Sequence, residues 1–178
     1  PPQRAGPELP SLLSSYRTVP SHPELSAQEE RTSALVSKEL KAVGCEVTDH
    51  LGKYDHPAQK GYGVVGVMKN GDGPVVLVRT DMDALPVQEE TGLPYASTVT
   101  TKDEKGDEVH VMHACGHDVH IATFIGVARA LAQPKDQWHG TILFVAQPAE
   151  EPGPGPPAVC NAGPYPRFPT PASRPRFP

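Results

Sequence analysis

Proline is concentrated at the two ends of this sequence, and its distribution confines regular structure to the part between them. Of the 22 prolines, ten lie in the last 27 residues and four lie in the first ten. The run PGPGPP at 152–157 lacks the backbone donors that a helix or a central strand requires. We therefore predict a folded body over residues 12–151, an irregular segment over 1–11 and an irregular, proline-rich tail over 152–178.

The folded body alternates between segments that are typical of strands and of helices. Valine-rich runs at 63–68 and 74–80 predict two strands joined by a tight turn, and the apolar run at 140–146 predicts a third, buried strand. Helical spacing of apolar residues predicts one helix that opens with the capping box SAQE at 26–29 and another that begins at Asp118. This alternation favours an α/β sandwich, in which sites lie at the carboxyl ends of strands.

Composition excludes several classes of partner. The formal net charge is -5 and no dense block of Lys or Arg is present, so we expect no nucleic-acid partner. The sequence has no apolar run long enough to span a membrane. The three cysteines are too few and too scattered for a disulfide framework, which favours a reducing compartment such as the cytoplasm. Because the sequence has no initiator Met, a removed leader and a periplasmic or secreted location stay open.

A cluster of metal-binding residue types lies at the start of the second predicted helix. His113, Cys115, His117 and His120 fall within eight residues of one another. Thiolate and imidazole are the ligands that suit zinc and similar divalent ions. Gly116 lets the backbone turn, so that Cys115 and His117 can face one point. A lone histidine is more often a satisfied core or surface residue, but four such groups around a glycine favour a metal site.

Two acidic pairs follow two of the predicted strands. Glu150 and Glu151 come after the last strand, where neighbouring side chains point in different directions. One carboxylate can then bind metal while the other takes a proton from a substrate water, as hydrolysis requires. Asp81 and Asp83 end the preceding strand, and either could orient a ligand histidine. The alternative for Glu150 and Glu151 is a solvated acidic pair on the surface. The alternative for Asp81 and Asp83 is a carboxylate that caps the end of a strand.

Three segments in consistent order resemble a known family of metal-dependent hydrolases. They are RTDMDALP at 79–86, MHACGHD at 112–118 and QPAEE at 147–151. Together they resemble the amidohydrolase branch of the aminoacylase and carboxypeptidase metallopeptidases, which includes hippurate hydrolases, N-acyl-amino-acid amidohydrolases and auxin-conjugate hydrolases. The segment HPELS at 22–26 is similar to the N-terminal signature of that family. The resemblance implies a three-layer α/β sandwich of the zinc-exopeptidase type, with a smaller inserted domain that dimerises and closes over substrate.

The same resemblance assigns roles to the clustered residues. It implies three metal ligands: Cys115, His117 and Glu151. Glu150 would be the general base and Asp83 the carboxylate that orients the site, whereas the roles of Asp81 and His113 stay open. The complete site would hold two divalent ions, with Zn, Mn, Co and Ni all compatible with these ligands. The substrate would be a small N-acyl amino acid or peptide-like molecule whose amide bond is hydrolysed.

The sequence departs from the family after Glu151. There the family continues with a glycine-rich turn and an amphipathic helix, whereas this chain has PGPGPP at 152–157. We therefore expect an incomplete catalytic domain, without the inserted lid and dimerisation domain, and negligible hydrolase activity from the 178 residues alone. The alternative to an amidohydrolase is a catalytically inactive truncated product with at most weak metal binding. Acyl and amino-acid specificity and the identity of the metal stay open.

Overall fold

The structure is a computed structural model that describes residues 9–52, 61–151 and 168–171. In chain order its elements are α1 (Leu9–Ser21), α2 (Glu30–Ala42), β1 (Glu46–Leu51), β2 (Gly63–Asn70), β3 (Val75–Asp81), β4 (Thr100–Lys102), β5 (Glu108–His110), α3 (His117–Ala132) and β6 (Gly140–Gln147), with one turn of 3-10 helix at Lys135–Gln137. Nearly all of the tail predicted over 152–178 lies outside these residues, as do residues 1–8 of the predicted N-terminal segment. Across the described ranges, no helix is both long and apolar enough to cross a membrane.

The main sheet has the strand order β1-β2-β6-β3, which confirms the predicted α/β class. Strand β2 is antiparallel to both β1 and β6, while β3 is parallel to β6. Because β3 and β6 run in the same direction, their carboxyl ends lie at one edge of the sheet, where Asp81 is opposite Gln147. The acidic pairs that follow these two strands are therefore brought to the same edge, as the sequence predicts.

Strands β2 and β3 form close to the predicted positions, but they are not hydrogen-bonded to each other, because β6 lies between them. The side chain of Asn70 donates to the backbone carbonyls of Lys135 and Trp138, just before β6. The Thr141 N–H donates to the Pro74 carbonyl at 2.9 Å. These contacts hold the start of β6 between the end of β2 and the start of β3. A turn signal is local and does not specify which strand will pair with which.

The core lies mainly on one face of the sheet. Alternate residues of the central strands pack there against the three helices: Val64, Met68, Ile142, Phe144 and Ala146 from the strands, with Val19, Val36, Leu40, Ile121, Phe124 and Ile125 from the helices. On the opposite face Val65, Val67 and Leu143 pack with Phe168. Within the described ranges all helices lie on the first face, so the second helical layer of a three-layer sandwich is not represented there.

Helix α1 was not predicted, and it includes residues 9–11, which were expected to be irregular. Pro10 occupies the first turn, where a missing N–H is tolerated because it would have no partner inside the helix. Val19 is buried in the core and Leu12 packs against it. The apolar contact of this helix with the core therefore outweighs the local proline content.

The predicted capping box at 26–29 is wrong. Helix α2 begins at Glu30, and no side-chain hydrogen bond caps it from Glu29. Instead the Glu24 carboxylate accepts the N–H groups of Arg31 and Thr32, both at 2.9 Å. The negative charge of Glu24 also suits the positive end of the helix dipole. This leaves Ser26 and Glu29 available for contacts elsewhere.

Candidate metal centre

Three segments meet at the carboxyl edge of β3 and β6: the loop after β3, the loop after β6 and the N-terminus of α3. Backbone pairing fixes the first of these loops. Ala84 donates its N–H to the Glu24 carbonyl at 2.8 Å, and Leu85 and Met112 exchange hydrogen bonds at 2.9 and 3.0 Å. These pairings place Ser26 beside Asp83 and bring the segment before α3 to the same edge.

Gly116 makes the turn into α3. Its φ is +77°, a left-handed conformation that glycine adopts without steric cost, and it occupies the N-cap position. Its carbonyl accepts the N–H groups of Val119 and His120. The chain can therefore reverse direction between Cys115, which is exposed, and His117, which is buried at the start of the helix. The predicted turn at Gly116 is therefore present, whereas the convergence of Cys115 and His117 on one point stays a prediction.

His117 is at the centre of the cluster. Its Nδ1 lies 2.8 Å from the Asp83 backbone carbonyl. Since a carbonyl can only accept, Nδ1 carries a hydrogen, and Nε2 is the ring nitrogen that can bind a cation when its own proton is displaced. Nε2 faces three carboxylates: Asp81 Oδ1 at 3.7 Å, Glu150 Oε2 at 3.8 Å and Glu151 Oε1 at 3.8 Å. A cation bound between this ring nitrogen and the three carboxylate oxygens would be attracted to all four atoms, so the arrangement suits a metal ion.

The ligand atoms form two overlapping groups, each with all atoms within 4.8 Å of one another. One contains His117, Glu150 and Glu151, and the other contains His117, Asp81 and His120. Cys115 belongs to neither group. Its interaction with Glu151, together with burial and the charge of Glu150, raises the pKa of the Cys115 thiol to about 11. The thiol therefore keeps its proton at neutral pH, and a divalent ion bound to Cys115 would replace that proton.

The residues present fit a divalent metal. Glu151 Oε1 is buried and has no hydrogen-bond partner in the described part of the chain. A buried carboxylate oxygen in that condition is costly unless a cation balances it. A donor set of sulfur, nitrogen and oxygen suits zinc and its neighbours. The Glu151 side chain is 18% exposed and that of Glu150 is 40% exposed, so Glu150 is the more accessible of the two.

Asp83 makes more contacts than an orienting residue requires. Its Oδ2 accepts the Ser26 hydroxyl at 2.6 Å and the Glu151 N–H at 3.0 Å, and its Oδ1 lies 3.4 Å from His117 Nδ1. Burial alone would raise the pKa of Asp83, but these partners and the Glu150 N–H hold it at about 2. Asp83 therefore connects His117 to the backbone of the Glu150–Glu151 turn, a link that the sequence did not predict.

The three remaining candidates lie beside this centre. Asp81 Oδ1 is 2.8 Å from His120 Nδ1, and its Oδ2 is 3.2 Å from the Arg79 guanidinium. His120 stacks on the His117 ring at 5.7 Å between centroids. Neither ring nitrogen of the buried His113 has a hydrogen-bond partner among the described residues, and burial lowers its pKa to about 4. His113 is therefore neutral at ordinary pH.

Ser26 and Glu29 belong to the site but were not predicted to. Glu29 has no solvent exposure, and its Oε1 accepts the Ala149 N–H at 2.7 Å. Burial raises the pKa of Glu29 to about 8. Both residues appear in the sequence as part of a local helix-capping pattern. A local pattern carries no signal for contacts across 57 and 120 residues.

The comparison with known families accounts for this combination of residues. Residues 77–172, more than half of the chain, match the profile of Peptidase family M20/M25/M40. The chain belongs to this family. This confirms the resemblance to amidohydrolases and metallopeptidases.

Two curated relatives and one solved structure illustrate the similarity. The chain is 40% identical over 153 residues to an N-acetylcysteine deacetylase of Bacillus subtilis and 37% identical over 152 residues to an IAA-amino acid hydrolase of Arabidopsis thaliana. Each alignment covers 85% of this chain, but only 36% and 31% of the respective relative. A B. subtilis crystal structure described as a dinuclear metal binding peptidase is 39% identical, with a TM-score of 0.65, over 79% of this chain and 35% of that one. The chain thus spans about a third of the relatives' length.

We expect the metal-free chain to lose stability as the pH rises from about 6.5 to about 9. Burial lowers the pKa of His117, but its pairing with Asp83 and the charge of Asp81 outweigh burial and raise it from 6.5 to about 9. The folded chain then keeps a proton that the unfolded chain releases. The stabilisation is complete below pH 6.5 and is lost as the pH passes about 9.

Urea unfolding with a chelator present, measured from pH 6 to 10, tests this. The raised pKa of Glu29 also makes the folded chain less stable as the pH rises, between about pH 4.5 and pH 8. The effect of His117 is therefore isolated by comparing wild type with His117→Gln. In that variant the decline between pH 8 and 9 should largely disappear. An unchanged decline would mean that a group other than His117 keeps the proton.

Proposed function

We propose that this chain contributes metal ligands and the general base to an enzyme that hydrolyses the amide bond of N-acyl amino acids or small peptide-like substrates. The observation that carries the proposal is the position of His117 Nε2, which faces Glu150, Glu151 and Asp81 beside the Cys115 thiol. One curated relative is named a deacetylase of N-acetylcysteine, and the other is named a hydrolase of an IAA-amino acid. A small molecule of that class is therefore the proposed substrate.

The proposed ligands in this chain are Cys115, His117 and Glu151, with two divalent ions in the complete site. When bound, such ions supply Lewis acidity, which polarises a carbonyl and lowers the pKa of a water molecule. The hydrogen bond from His117 Nδ1 to the Asp83 carbonyl keeps Nε2 available as a ligand. Asp81 is not one of the proposed ligands, because its two carboxylate oxygens pair with His120 and Arg79.

Glu150 is the proposed general base. Its carboxylate is more exposed than that of Glu151, so a substrate and a water molecule can reach it. It would take a proton from water while the water oxygen bonds to the amide carbon. It would then give that proton to the amine nitrogen as the C–N bond breaks. Asp83 would keep Glu150 in place by holding the backbone of the turn.

Titration of the purified 178-residue chain with Zn²⁺ or Mn²⁺ in a calorimeter tests the metal site. We expect Cys115→Ala, His117→Ala and Glu151→Ala each to weaken binding by about a hundredfold or more, because changes around a ligand alone cost 10–100-fold. His110→Ala is the matched control, since His110 is exposed on β5 and away from the cluster. It should leave binding unchanged.

A second candidate, a catalytically inactive product with at most weak metal binding, is favoured by one feature, the run PGPGPP in place of the glycine-rich turn. The calorimetric metal titration described above distinguishes the two candidates. Undetectable binding, or binding that survives His117→Ala, would favour the inactive product. Binding that depends on all three ligands would favour the amidohydrolase site, whose turnover is then measured in a protein of the relatives' length.

A further inference from the structure

Glu29 is a fully buried acid that contacts the backbone of the site. Its side chain has no solvent exposure, and its Oε1 accepts the Ala149 N–H at 2.7 Å. Ala149 directly precedes Glu150 and Glu151. Glu29 comes from the segment before α2, which is 120 residues away in sequence. The contact therefore joins two distant parts of the chain at the residue where the acidic turn begins.

Ala149 has an unfavourable backbone conformation. Its φ is +52°, in the left-handed region that non-glycine residues occupy only at an energetic cost. Such a conformation persists only where surrounding contacts hold it. Two carboxyl groups do so here, because Glu29 binds the N–H of Ala149 and Asp83 binds the N–H of Glu151. The conformation of residue 149 sets the direction in which the next two side chains leave the backbone.

Neither helix capping nor core packing accounts for a buried glutamate at position 29. Glu29 makes no side-chain cap to α2, and Glu24 supplies that cap instead. A residue needed only for packing would be apolar, because a buried carboxyl group with an unpartnered oxygen costs free energy. Glu29 Oε2 is such an oxygen among the described residues. A positional function would explain why this cost is tolerated.

We infer that Glu29 is a positioning residue, which holds Ala149 in its left-handed conformation and so directs Glu150 and Glu151 toward His117. This inference rests on the proposed function, because the direction of Glu150 and Glu151 matters only if their side chains serve a metal site. Burial raises the pKa of Glu29 to about 8, so the side chain is mainly neutral at pH 7. Glutamine reproduces that neutral shape and keeps the acceptor oxygen, whereas leucine removes the acceptor.

Zn²⁺ titration of the full chain at pH 7 tests the inference with this matched pair. We expect Glu29→Gln to bind Zn²⁺ within about threefold of wild type and Glu29→Leu to bind about 10–100-fold more weakly, the range for residues that act through a ligand. Adding Ala149→Gly to Glu29→Leu should restore most of the affinity, because glycine reaches positive φ without strain. Ser37→Ala is the control, since Ser37 is a buried residue of α2 that bonds Asp49 instead of the turn.

A merely structural role predicts a different result. In that case Glu29→Leu would lower the melting temperature as Ser37→Ala does but leave Zn²⁺ affinity unchanged, and glycine at 149 would restore nothing. Either result would overturn the inference. Should Glu29→Leu not fold, Glu29→Asp serves, because its shorter side chain keeps the carboxyl group but cannot reach Ala149. It is expected to weaken Zn²⁺ binding by a similar factor.

Amide hydrogen exchange at Ala149 separates this inference from the proposed function. Exchange at that amide should accelerate in Glu29→Leu, whether or not zinc binds. If wild type binds Zn²⁺ no better than His117→Ala while the exchange still accelerates, the proposed function fails and the contact with the turn stands. If wild type binds Zn²⁺ normally and neither exchange nor affinity responds to Glu29→Leu, the positioning inference fails alone.

Discussion

Glu150→Gln is expected to lower kcat for amide hydrolysis by about a hundred- to ten-thousand-fold and to leave the bound metal unchanged. The measurement uses an enzyme of the relatives' length that carries residues 12–151 of this chain, because the chain itself covers about a third of those relatives. Glutamine keeps the size and hydrogen-bonding shape of the side chain but cannot take a proton. KM should change little, since the proposed role of Glu150 is in proton transfer and not in binding.

Glu151→Gln is the matched control, one residue away and chemically identical. Glu151 Oε1 is buried without a partner among the described residues. We therefore expect this variant to lose metal, measured by atomic absorption after dialysis, and to lose activity as a consequence. Metal loss in Glu150→Gln with metal retained in Glu151→Gln would mean that the two roles are exchanged. Equal metal loss in both would mean that both glutamates are ligands.

Local patterns were sufficient to predict most of the secondary structure. The valine-rich runs became β2 and β3, and the apolar run at 140–146 became the central strand β6. The pairing of these strands was not predictable, because β6 lies between β2 and β3 through contacts such as that from Thr141 to Pro74. Helix α1 was missed for a related reason. Its apolar residues pack on a core that forms from distant segments, and the nearby prolines predicted irregular structure instead.

The residues of the candidate site were likewise predicted only in part. The motif residues His117, Glu150 and Glu151 were predicted to lie together, because strand ends and a helix start converge in this fold class, and the structure brings them within 4.8 Å. Ser26 and Glu29 were not predicted. They act on the site through Asp83 and through the backbone of the turn, and neither contact follows from the spacing of residues in the sequence. A single sequence thus predicted the reactive groups but not those that hold them in position.

Asp83 joins the site to the rest of the fold through several contacts of one side chain. Its side chain is almost entirely buried, and it accepts the Ser26 hydroxyl and the Glu151 N–H while pairing with His117. Asp83→Ala would leave the half-buried Ser26 hydroxyl and Glu151 N–H without an acceptor, and His117 without its carboxylate. Removing one partner of a buried, charged network costs about 3–5 kcal/mol. We expect a loss of that size in the free energy of unfolding, measured by urea denaturation, together with a loss of Zn²⁺ binding.

Asp83→Asn distinguishes the charge of this side chain from its shape. Asparagine keeps one acceptor oxygen, so it should lose less stability than alanine. The pKa of Asp83 is held at about 2 against an ordinary value of 3.8, so its contribution is complete above pH 3.8 and is lost as the pH falls toward 2. That acid-induced loss should be present in wild type and absent from Asp83→Asn. A cost below about 0.5 kcal/mol for Asp83→Ala, within the range of ordinary surface substitutions, would show that the turn and His117 are held by other contacts.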